Sequence, residues 1–234
     1  MARNQYFFSV IIPAYNEEKS IGRCLDSVTQ QTLSREKYEI IVVNNDSQDK
    51  TKAIAQRYPV KVVDEKKQGY VYALRRGCQE AKGKILVFTD ADTIVPKDWL
   101  AKYQKVYRNS QVVYAGGAAN FQPKFGLIFL VENLINFFGQ ITKIANGFNL
   151  SIRHTTYQKL GGFNPKINFH TDTDLIWRAK RKGQAVFLPE NKVLASSRHF
   201  KGFRGIIYSL KGIINHSSLI LFKKTIFYEF GNIR

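Results

Sequence analysis

The sequence has few cysteines, few acidic residues and no long apolar run, and each shortage limits the kind of protein that it can encode. Cys24 and Cys78 lie far apart, without a CxxC pair or a companion histidine cluster, so neither a disulfide framework nor a zinc site is indicated. We expect two buried free thiols in a reducing compartment. No segment reaches the ~18–20 uninterrupted apolar residues that cross a bilayer. Residues 1–10 lack the features of a signal peptide, which favours a cytoplasmic protein whose membrane contacts are peripheral.

The shortage of acidic residues leaves a strongly basic chain. The 18 Asp and Glu are outnumbered by 36 Lys and Arg, giving a formal charge of +18. Such a charge favours anionic partners, namely nucleic acid, phospholipid headgroups or phosphorylated substrates, and does not choose among them. The 234 residues, 44% of them hydrophobic, suffice for one large α/β domain or two small ones.

The first half of the chain alternates short β-branched runs with segments of helical period. This alternation is typical of βαβ units and predicts an α/β fold with a largely parallel sheet. The predicted strands are 7–13, 39–43, 60–63 and 85–89. The predicted helices are one that begins at Asn16-Glu17-Glu18, with acidic residues at its start, then 49–58 and 71–81.

Polar clusters follow three of these predicted strands. They are Tyr15-Asn16-Glu17, Asn44-Asn45-Asp46 and Asp90-Ala91-Asp92. The carboxyl ends of parallel strands meet at one edge of a sheet, where such sheets bind ligands. We therefore expect a binding site at this edge.

Asp90 and Asp92 have the chemistry of a cation site. They flank one small residue at the end of an apolar strand, so both carboxylates reach one point beyond the sheet edge. Mg²⁺ and Mn²⁺ prefer oxygen ligands, and such a cation neutralises charge that builds on a departing diphosphate. A solvated acidic turn is the alternative for a lone pair of this kind.

A second acidic pair, Asp172 and Asp174, comes at the start of a predicted helix over 174–182. In the simplest interpretation one of them is the helix N-cap. In the other, one of them is a base that accepts the proton of an acceptor hydroxyl. Spacing leaves both interpretations open.

The second half contains two amphipathic segments. In a helix predicted over 124–145, polar residues share one face, while an unusually wide apolar arc fills the rest. The tail, 203–234, mixes aromatic and aliphatic residues with Lys and Arg. The two segments suit an interfacial surface on an anionic membrane. Alternatively, the helix packs on the sheet as core and the tail covers it.

Five segments, in order along the chain, resemble the motifs of family 2 glycosyltransferases with the GT-A fold. They are SVIIPAYNEEKSIGRCLDSV, EIIVVNNDSQDKT, GKILVFTDADT, NGFNLSIRHTTYQKLGGFN and TDTDLIWRAKRKG. The resemblance covers about residues 9–183, and five ordered motifs are far more specific than one. It implies a Rossmann-like, mostly parallel sheet flanked by helices, which we expect to be followed by a helical C-terminal segment suited to membrane association.

The resemblance implies roles on the donor side. The family's first-strand loop, which holds the nucleotide base and ribose, matches Pro13, Ala14, Tyr15 and Glu17. Asn44 and Asn45 match paired aspartates near the base. Asp90-Ala91-Asp92 matches the metal and diphosphate motif, in which Asp92 is the usual direct ligand of Mn²⁺ or Mg²⁺.

On the acceptor side, Asp172 matches the catalytic base, which deprotonates the acceptor for in-line displacement with inversion at the anomeric carbon. The segment Ser197-Arg198-His199 is similar to a basic segment near the donor phosphates in relatives. The residues that we expect on the acceptor side are Gly147, Asn149, Asp174, Arg198 and His199.

Two positions depart from the family's pattern. Asn44-Asn45 stands where Asp-Asp is frequent, and because an amide both accepts and donates, the donor remains either a UDP-sugar or a GDP-sugar. Thr171 stands where Glu usually precedes the base. Asp174 is the alternative base if Asp172 caps the helix.

These inferences predict an inverting, metal-dependent glycosyltransferase that acts on a lipid-linked or glycan acceptor at the cytoplasmic face of a membrane. The predicted division is 1–115 for the donor half of one domain, 116–200 for the acceptor half and 201–234 for the basic tail. A nucleotidyltransferase is an alternative, although the PAYNEE loop is acidic where such an enzyme has a Gly- and Arg/Lys-rich loop. A nucleic-acid-binding protein is another, but no binding motif accompanies the charge, and we expect no nucleic-acid partner.

Overall fold

A seven-stranded sheet organises the residues that the computed structural model describes, which are 6–126, 128–167, 171–200 and 218. The strands are β1 Tyr6–Ala14, β2 Tyr38–Asn44, β3 Lys61–Asp64, β4 Gly83–Phe88, β5 Val112–Gln122, β6 Leu150–Arg153 and β7 Gln184–Ser196. The helices are α1 Ile21–Thr29, α2 Thr51–Ala55, α3 Tyr70–Glu80, α4 Trp99–Val106, α5 Ile128–Thr142, α6 His154–Lys159 and α7 Thr171–Lys180. Short 3₁₀ helices occupy Arg35–Lys37, Gly147–Asn149 and Arg198–Phe200.

The strand order explains where the site lies. The order is β3-β2-β1-β4-β6-β5-β7, with β1 parallel to both β2 and β4, and with β6 antiparallel to both of its neighbours. The chain moves outward in one direction from β1 to β3 and then returns to the other side of β1 at β4. Ligands bind at such a switch point, beyond the carboxyl ends of the strands. The acidic segment after β4 and the loop after β1 therefore lie side by side.

The core lies on both faces of this sheet. All seven residues of β2 are buried, as expected for a parallel strand that is covered on both sides. Helix α1 buries Ile21, Cys24, Leu25 and Val28, the spacing of one helical face. Both cysteines are free and buried, as the sequence predicted. Burial raises the pKa of Cys78 to about 12, so its thiol is unreactive.

The four predicted strands of the first half are confirmed within one or two residues, but the first helix is shorter than predicted. Helix α1 begins at Ile21, so the acidic residues 17 and 18 precede it and do not occupy its first turn. Asn16 adopts a left-handed conformation with φ of 53°, and the Glu17 N–H donates to Thr51 Oγ1 at 2.7 Å. These features form a turn that presents Glu17 to the site.

The predicted boundary between residues 115 and 116 falls inside β5. This strand pairs with β6 on one side and with β7 on the other, so both predicted halves share one sheet. The predicted basic tail lies outside the described residues, apart from Ser218, which is buried. Among the described helices, none is long and apolar enough to cross a membrane.

Helix α5 packs on the sheet, with both polar and apolar side chains on its inner face. Strand β6 pairs with β5 only as far as Gly116, which leaves the next residues of that β5 edge without a strand partner. Asn136 donates to the carbonyl of Ala119 at 2.8 Å and accepts from its N–H at 2.9 Å, while Glu132 accepts from the Phe121 N–H at 2.8 Å. Buried backbone groups need partners, so Glu132 and Asn136 turn toward the sheet, where Ile128 also packs against residues of β5 and β7. The opposite side of the helix, which is largely apolar, is exposed.

Candidate active site

The loop after β1 supplies the first wall of the site. Pro13 and Ala14 are buried within the strand, so only their backbone is available to a ligand, whereas Tyr15 is half-buried. The Glu17 side chain is 4% exposed and accepts a hydrogen bond from Ser20 Oγ at 2.6 Å. A buried carboxylate requires a cationic partner or a proton.

Arg198 supplies that partner from the far end of the chain. Its guanidinium donates to both carboxylate oxygens of Glu17, at 3.0 Å for the Nη1 bond, and its Nη2 lies 3.0 Å from Oδ2 of Asp92. Burial lowers the pKa of Arg198, but the hydrogen bond to Glu17 and the charges of Asp92 and Asp90 raise it more, so the net pKa is above its usual value. Two predicted donor-site carboxylates therefore share one cation.

Asp90 is positioned by a residue that the sequence analysis did not select. The hydroxyl of Tyr70, the first residue of α3, donates to Asp90 Oδ1 at 2.9 Å. Asp90 is also fixed through its backbone, whose carbonyl lies 3.4 Å from the Cys24 sulfur. Ala91 between the two aspartates is buried at 2% exposure. The strand thus points both carboxylates to the edge of the sheet, as expected.

The two asparagines at the end of β2 form hydrogen bonds with other groups of the protein. Asn44 donates to Asp64 Oδ1 at 2.9 Å, and Asn45 donates to the carbonyls of Glu65 and Lys67, both at 2.9 Å. Asn45 Oδ1 accepts from the Gly69 N–H at 2.8 Å. Asn45 therefore fixes the loop that precedes α3, and α3 begins at Tyr70, whose hydroxyl lies in the site.

Asp172 approaches the same region from the other half of the sheet. It lies in the first turn of α7, where its carboxylate accepts the Thr173 N–H at 2.8 Å. A Cβ placed on Gly147 would lie 3.1 Å from Asp172 Oδ2 and 3.2 Å from the Tyr70 hydroxyl. The Tyr70 hydroxyl and the Asp172 carboxylate thus both lie close to Gly147, where a larger residue would crowd them.

Asp174 has a structural partner. Its Oδ2 accepts from Nε of Arg178 at 3.0 Å and from Nη2 at 2.6 Å, and the same guanidinium donates to the carbonyls of Leu160 and Gly162. The pair therefore anchors the turn before α7 to the helix. This arrangement favours Asp172 over Asp174 as the base.

The structure places the side chain of Asn149, which the sequence predicted on the acceptor side, in the core. Asn149 is fully buried, and its amide bonds are all made inside the protein. Its Oδ1 accepts from Trp99 Nε1 and the Tyr103 hydroxyl, each at 2.8 Å, and its Nδ2 donates to the carbonyls of Ala118 and Asn191. Asn149 joins α4 to β5 and β7 in the core. For His199 the structure describes the backbone, in the 3₁₀ helix Arg198–Phe200, and not the side chain.

A cleft of about 640 Å³ borders the donor-side residues. Glu17, Asp92 and Arg198 line it, together with Lys19 and Arg23. Glu18 and Asp49 line it as well, so the cleft has three basic and four acidic side chains and suits an anionic ligand that brings a cation with it. A second cleft of about 410 Å³ lies at the opposite edge, where β1 and β2 begin, and has none of the predicted site residues.

Asp90 and Asp92 fit a metal ion whose remaining ligands come from the substrate. Within the described ranges, no group of three or more His, Cys, Asp or Glu side chains is placed to hold an ion by itself. Mg²⁺ in nucleotide sites is usually held by one or two carboxylates plus substrate phosphates. Asp90 and Asp92 supply that number of oxygen ligands, so the donor set fits a cation that arrives with a diphosphate.

The sequence analysis did not select three features of the site, namely Tyr70, Arg178 and the partners of Asn45. Only some of them had a signal in the sequence. The Asp174–Arg178 pair has the i, i+4 spacing that stabilises helices, so a signal for it was available. Tyr70 gave no signal, because its contact with Asp90 depends on how α3 packs on the sheet.

Comparison with known proteins gives a consistent family. The model of glycosyl transferase family 2 matches residues 9–184. Glycosyltransferase AglE of Haloferax volcanii is 33% identical over 171 residues, which are 67% of this chain and 56% of the relative. Dolichol-phosphate mannosyltransferase of Pyrococcus furiosus is 34% identical over 113 residues, which are 46% of this chain and 32% of the relative. The chain therefore spans only about half, or less, of the length of these relatives.

Among solved structures, the mannosyltransferase PcManGT from Pyrobaculum calidifontis, in complex with GDP-Man and Mn²⁺, is similar with a TM-score of 0.75. The match covers 90% of this chain and 61% of that chain, at 23% identity. At this identity the similarity establishes the fold, which is the predicted mostly parallel α/β sheet flanked by helices.

Proposed function

Because the chain belongs to glycosyl transferase family 2 and has its GT-A fold, we propose that it is a metal-dependent, inverting glycosyltransferase. Its donor is a UDP- or GDP-sugar, and its acceptor is a lipid-linked molecule or a glycan at the cytoplasmic face of a membrane. The family match favours this reaction over the nucleotidyltransferase and nucleic-acid-binding alternatives.

One observation carries the proposal. The acidic segment after β4 and the carboxylate at the start of α7 converge on Tyr70, which bonds Asp90 and lies beside Gly147 and Asp172. A sugar transferase needs a site for the departing diphosphate and a base for the acceptor within the width of one sugar. These residues supply both from opposite halves of the sheet.

Asp90 and Asp92 are the residues that would hold the cation. When bound, Mn²⁺ or Mg²⁺ supplies positive charge that stabilises the diphosphate as it departs. PcManGT binds Mn²⁺ together with GDP-Man, which supports such a cation here.

Arg198 exchanges partners when the donor enters. In the structure it neutralises Asp92 and Glu17. Its Nε is buried without a hydrogen-bond partner in the part of the chain that the structure describes, so this N–H can donate to a phosphate oxygen once the guanidinium has moved. We propose that Arg198 contacts the diphosphate and stabilises the leaving group, because a preorganised cation is most effective where negative charge develops.

Asp172 removes the proton of the acceptor. The acceptor oxygen attacks the anomeric carbon from the face opposite the diphosphate, the bond to the diphosphate breaks, and the acceptor proton passes to the Asp172 carboxylate. This single displacement inverts the anomeric carbon and needs no covalent intermediate. The backbone N–H of Thr173 orients the carboxylate from the helix side.

The test measures Mn²⁺-dependent release of nucleoside diphosphate across a panel of UDP- and GDP-sugars, with membrane lipid extracts and soluble glycans as acceptors. We expect Asp92→Ala to weaken the binding of metal and donor. Asp172→Asn should bind donor like the parent and transfer at least about 100-fold more slowly, the usual contribution of a general base. Transfer by Asp172→Asn at the parent rate would refute the assignment of the base.

A further inference from the structure

The outer face of α5 is the most apolar exposed surface of the described chain. Seven large apolar side chains are exposed in the described residues, and six of them belong to α5. They are Phe129, Leu130, Leu134, Phe137, Phe138 and Ile141, with exposed fractions between 44% and 62%. Single exposed apolar residues are ordinary, but a contiguous patch marks an interaction surface.

The spacing of these residues makes the surface a continuous stripe. Leu130, Leu134, Phe137 and Ile141 follow one another at intervals of four, three and four residues, the repeat of one helical face. Asn133 and Gln140 are also exposed and lie along one edge of the stripe. The helix therefore has an apolar outer face bordered by a polar edge, the pattern of helices that lie in a membrane interface.

The inner face of α5 is fixed, so the stripe cannot turn inward. Besides the bonds that Glu132 and Asn136 make to β5, Gly139 packs so closely on Phe187 that an added Cβ would lie 2.5 Å from its ring. Lys180 donates to the carbonyl of Thr142 at 2.6 Å and caps the last turn. Burying the stripe by rotation would break all of these contacts.

The charge around α5 suits an anionic surface. Its one acidic residue, Glu132, is 8% exposed and paired with Lys124, so the outer face has no negative charge. Since Lys124 is paired with Glu132, the positive charge beside the stripe comes from Lys143 and Lys180, which lie at the end of the helix. With a chain charge of +18, these lysines favour phospholipid headgroups over a neutral protein partner.

Helix α5 also leads directly to the candidate base. A short segment joins Thr142 to Gly147, which adjoins Asp172, and the Ala145 N–H on that segment donates to the Tyr114 hydroxyl at 2.9 Å. Helix α5 is therefore joined by a short, anchored segment to the place where an acceptor would lose its proton.

We propose that α5 inserts its apolar stripe into the headgroup–acyl boundary of an anionic membrane, and that the site takes a lipid-linked acceptor from this surface. Asn133 and Gln140 then lie at the level of the headgroups. The choice of a lipid-linked acceptor over a soluble glycan rests on the proposed function, whereas the membrane contact of α5 does not.

Vesicle flotation of the full chain tests the contact. The probe is vesicles of equal parts phosphatidylcholine and phosphatidylglycerol, and the variant is Leu134→Gln with Phe137→Gln, which removes two apolar side chains without a change of charge. We expect its partition to fall about 100-fold, since two large side chains no longer leave water. The control, Asn133→Ala with Gln140→Ala, should partition like the parent. Vesicles of phosphatidylcholine alone should bind the parent less.

Other occupants of the stripe give different results. If residues 201–234 cover it, the Leu134→Gln, Phe137→Gln variant will melt at a lower temperature and float like the parent. If a second copy covers it, the parent will sediment as a dimer without vesicles and the variant as a monomer, again with equal flotation. Either result would overturn the proposal. A lowered partition at unchanged melting temperature would support it.

Calorimetry with Mn²⁺ and UDP- or GDP-sugars separates this inference from the proposed reaction. The stripe variant should bind donor like the parent, because Leu134 and Phe137 are exposed on the outer face of α5 and do not line the donor cleft. A parent that floats but binds no donor would refute the proposed function and leave the membrane contact intact.

Discussion

The guanidinium of Arg198 lies 3.0 Å from a carboxylate oxygen of Asp92. The same guanidinium binds the buried carboxylate of Glu17. A cation of the protein thus occupies part of the position in which the proposed metal would bind Asp92. We infer that binding of metal and donor displaces this contact, and that Arg198 then serves the diphosphate.

Arg198→Gln should therefore change metal and donor affinity in opposite directions. Removal of the competing cation should raise the affinity for Mn²⁺ alone several-fold, while the affinity for the nucleotide sugar falls about tenfold, the equivalent of one charge-assisted hydrogen bond. Isothermal calorimetry measures both. Lys192→Gln, an exposed lysine of β7, controls for the loss of charge. Unchanged Mn²⁺ affinity in Arg198→Gln would show that the two cations do not compete.

Tyr70→Phe should lower donor-dependent turnover with little effect on stability. The substitution keeps the ring and removes the hydroxyl that holds Asp90 at 2.9 Å. We expect kcat/KM to fall about tenfold, as for loss of one hydrogen bond to a charged group. Tyr72→Phe, in the same helix, should leave kcat/KM unchanged, since its ring contacts Lys67. Equal kinetics for the two variants would exclude a positioning role for the Tyr70 hydroxyl.

Asp174→Asn should lower stability where Asp172→Asn does not. The Asp174 carboxylate is 17% exposed and holds Arg178, which in turn bonds the turn before α7. Loss of this pair should cost about 1–3 kcal/mol, measured by urea unfolding. An Asn at 172 can still accept the Thr173 N–H, so that variant should unfold near the parent midpoint. If Asp174→Asn instead abolished transfer at full stability, Asp174 would be the base.

The Asp49 carboxylate should make stability depend on acid pH. Burial raises the pKa of Asp49, but hydrogen bonds from the Thr51 hydroxyl and N–H and from the Glu18 N–H lower it more, so its pKa lies below the usual value. The unfolded chain, with a pKa of about 3.9, takes up the proton first as pH falls. The stabilisation is thus complete above about pH 5 and is lost as pH falls through the lower folded value.

Urea unfolding of Asp49→Asn and the parent, at neutral pH and at about pH 3, checks this expectation. The variant should be less stable at neutral pH, and the difference should shrink in acid. Asp46→Asn, in the same loop, controls for the loss of one negative charge. A difference that is constant with pH would contradict the role of the Asp49 carboxylate.

The sequence by itself determined the first four strands and the polar residues at their carboxyl ends. Period-two and continuous apolar runs depend on neighbours along the chain, and every parallel strand delivers its last residues to the same edge of the sheet. The position of Asp90 and Asp92 directly after a strand was therefore enough to predict that they lie together at this edge. The ordered motifs identified the family.

Only the tertiary structure decided which side chains meet across long separations. Arg198 reaches Glu17 and Asp92 because Leu194, near the end of β7, pairs with Ile94 in the segment that follows Asp92. Asn149 is buried in the core, where four groups distant in the chain satisfy its amide. The sequence pattern of α5 predicted a wide apolar arc, but it did not determine whether this arc faces the sheet or the solvent. The unpaired backbone of β5 requires the polar side chains of α5, and this requirement turns the apolar stripe outward.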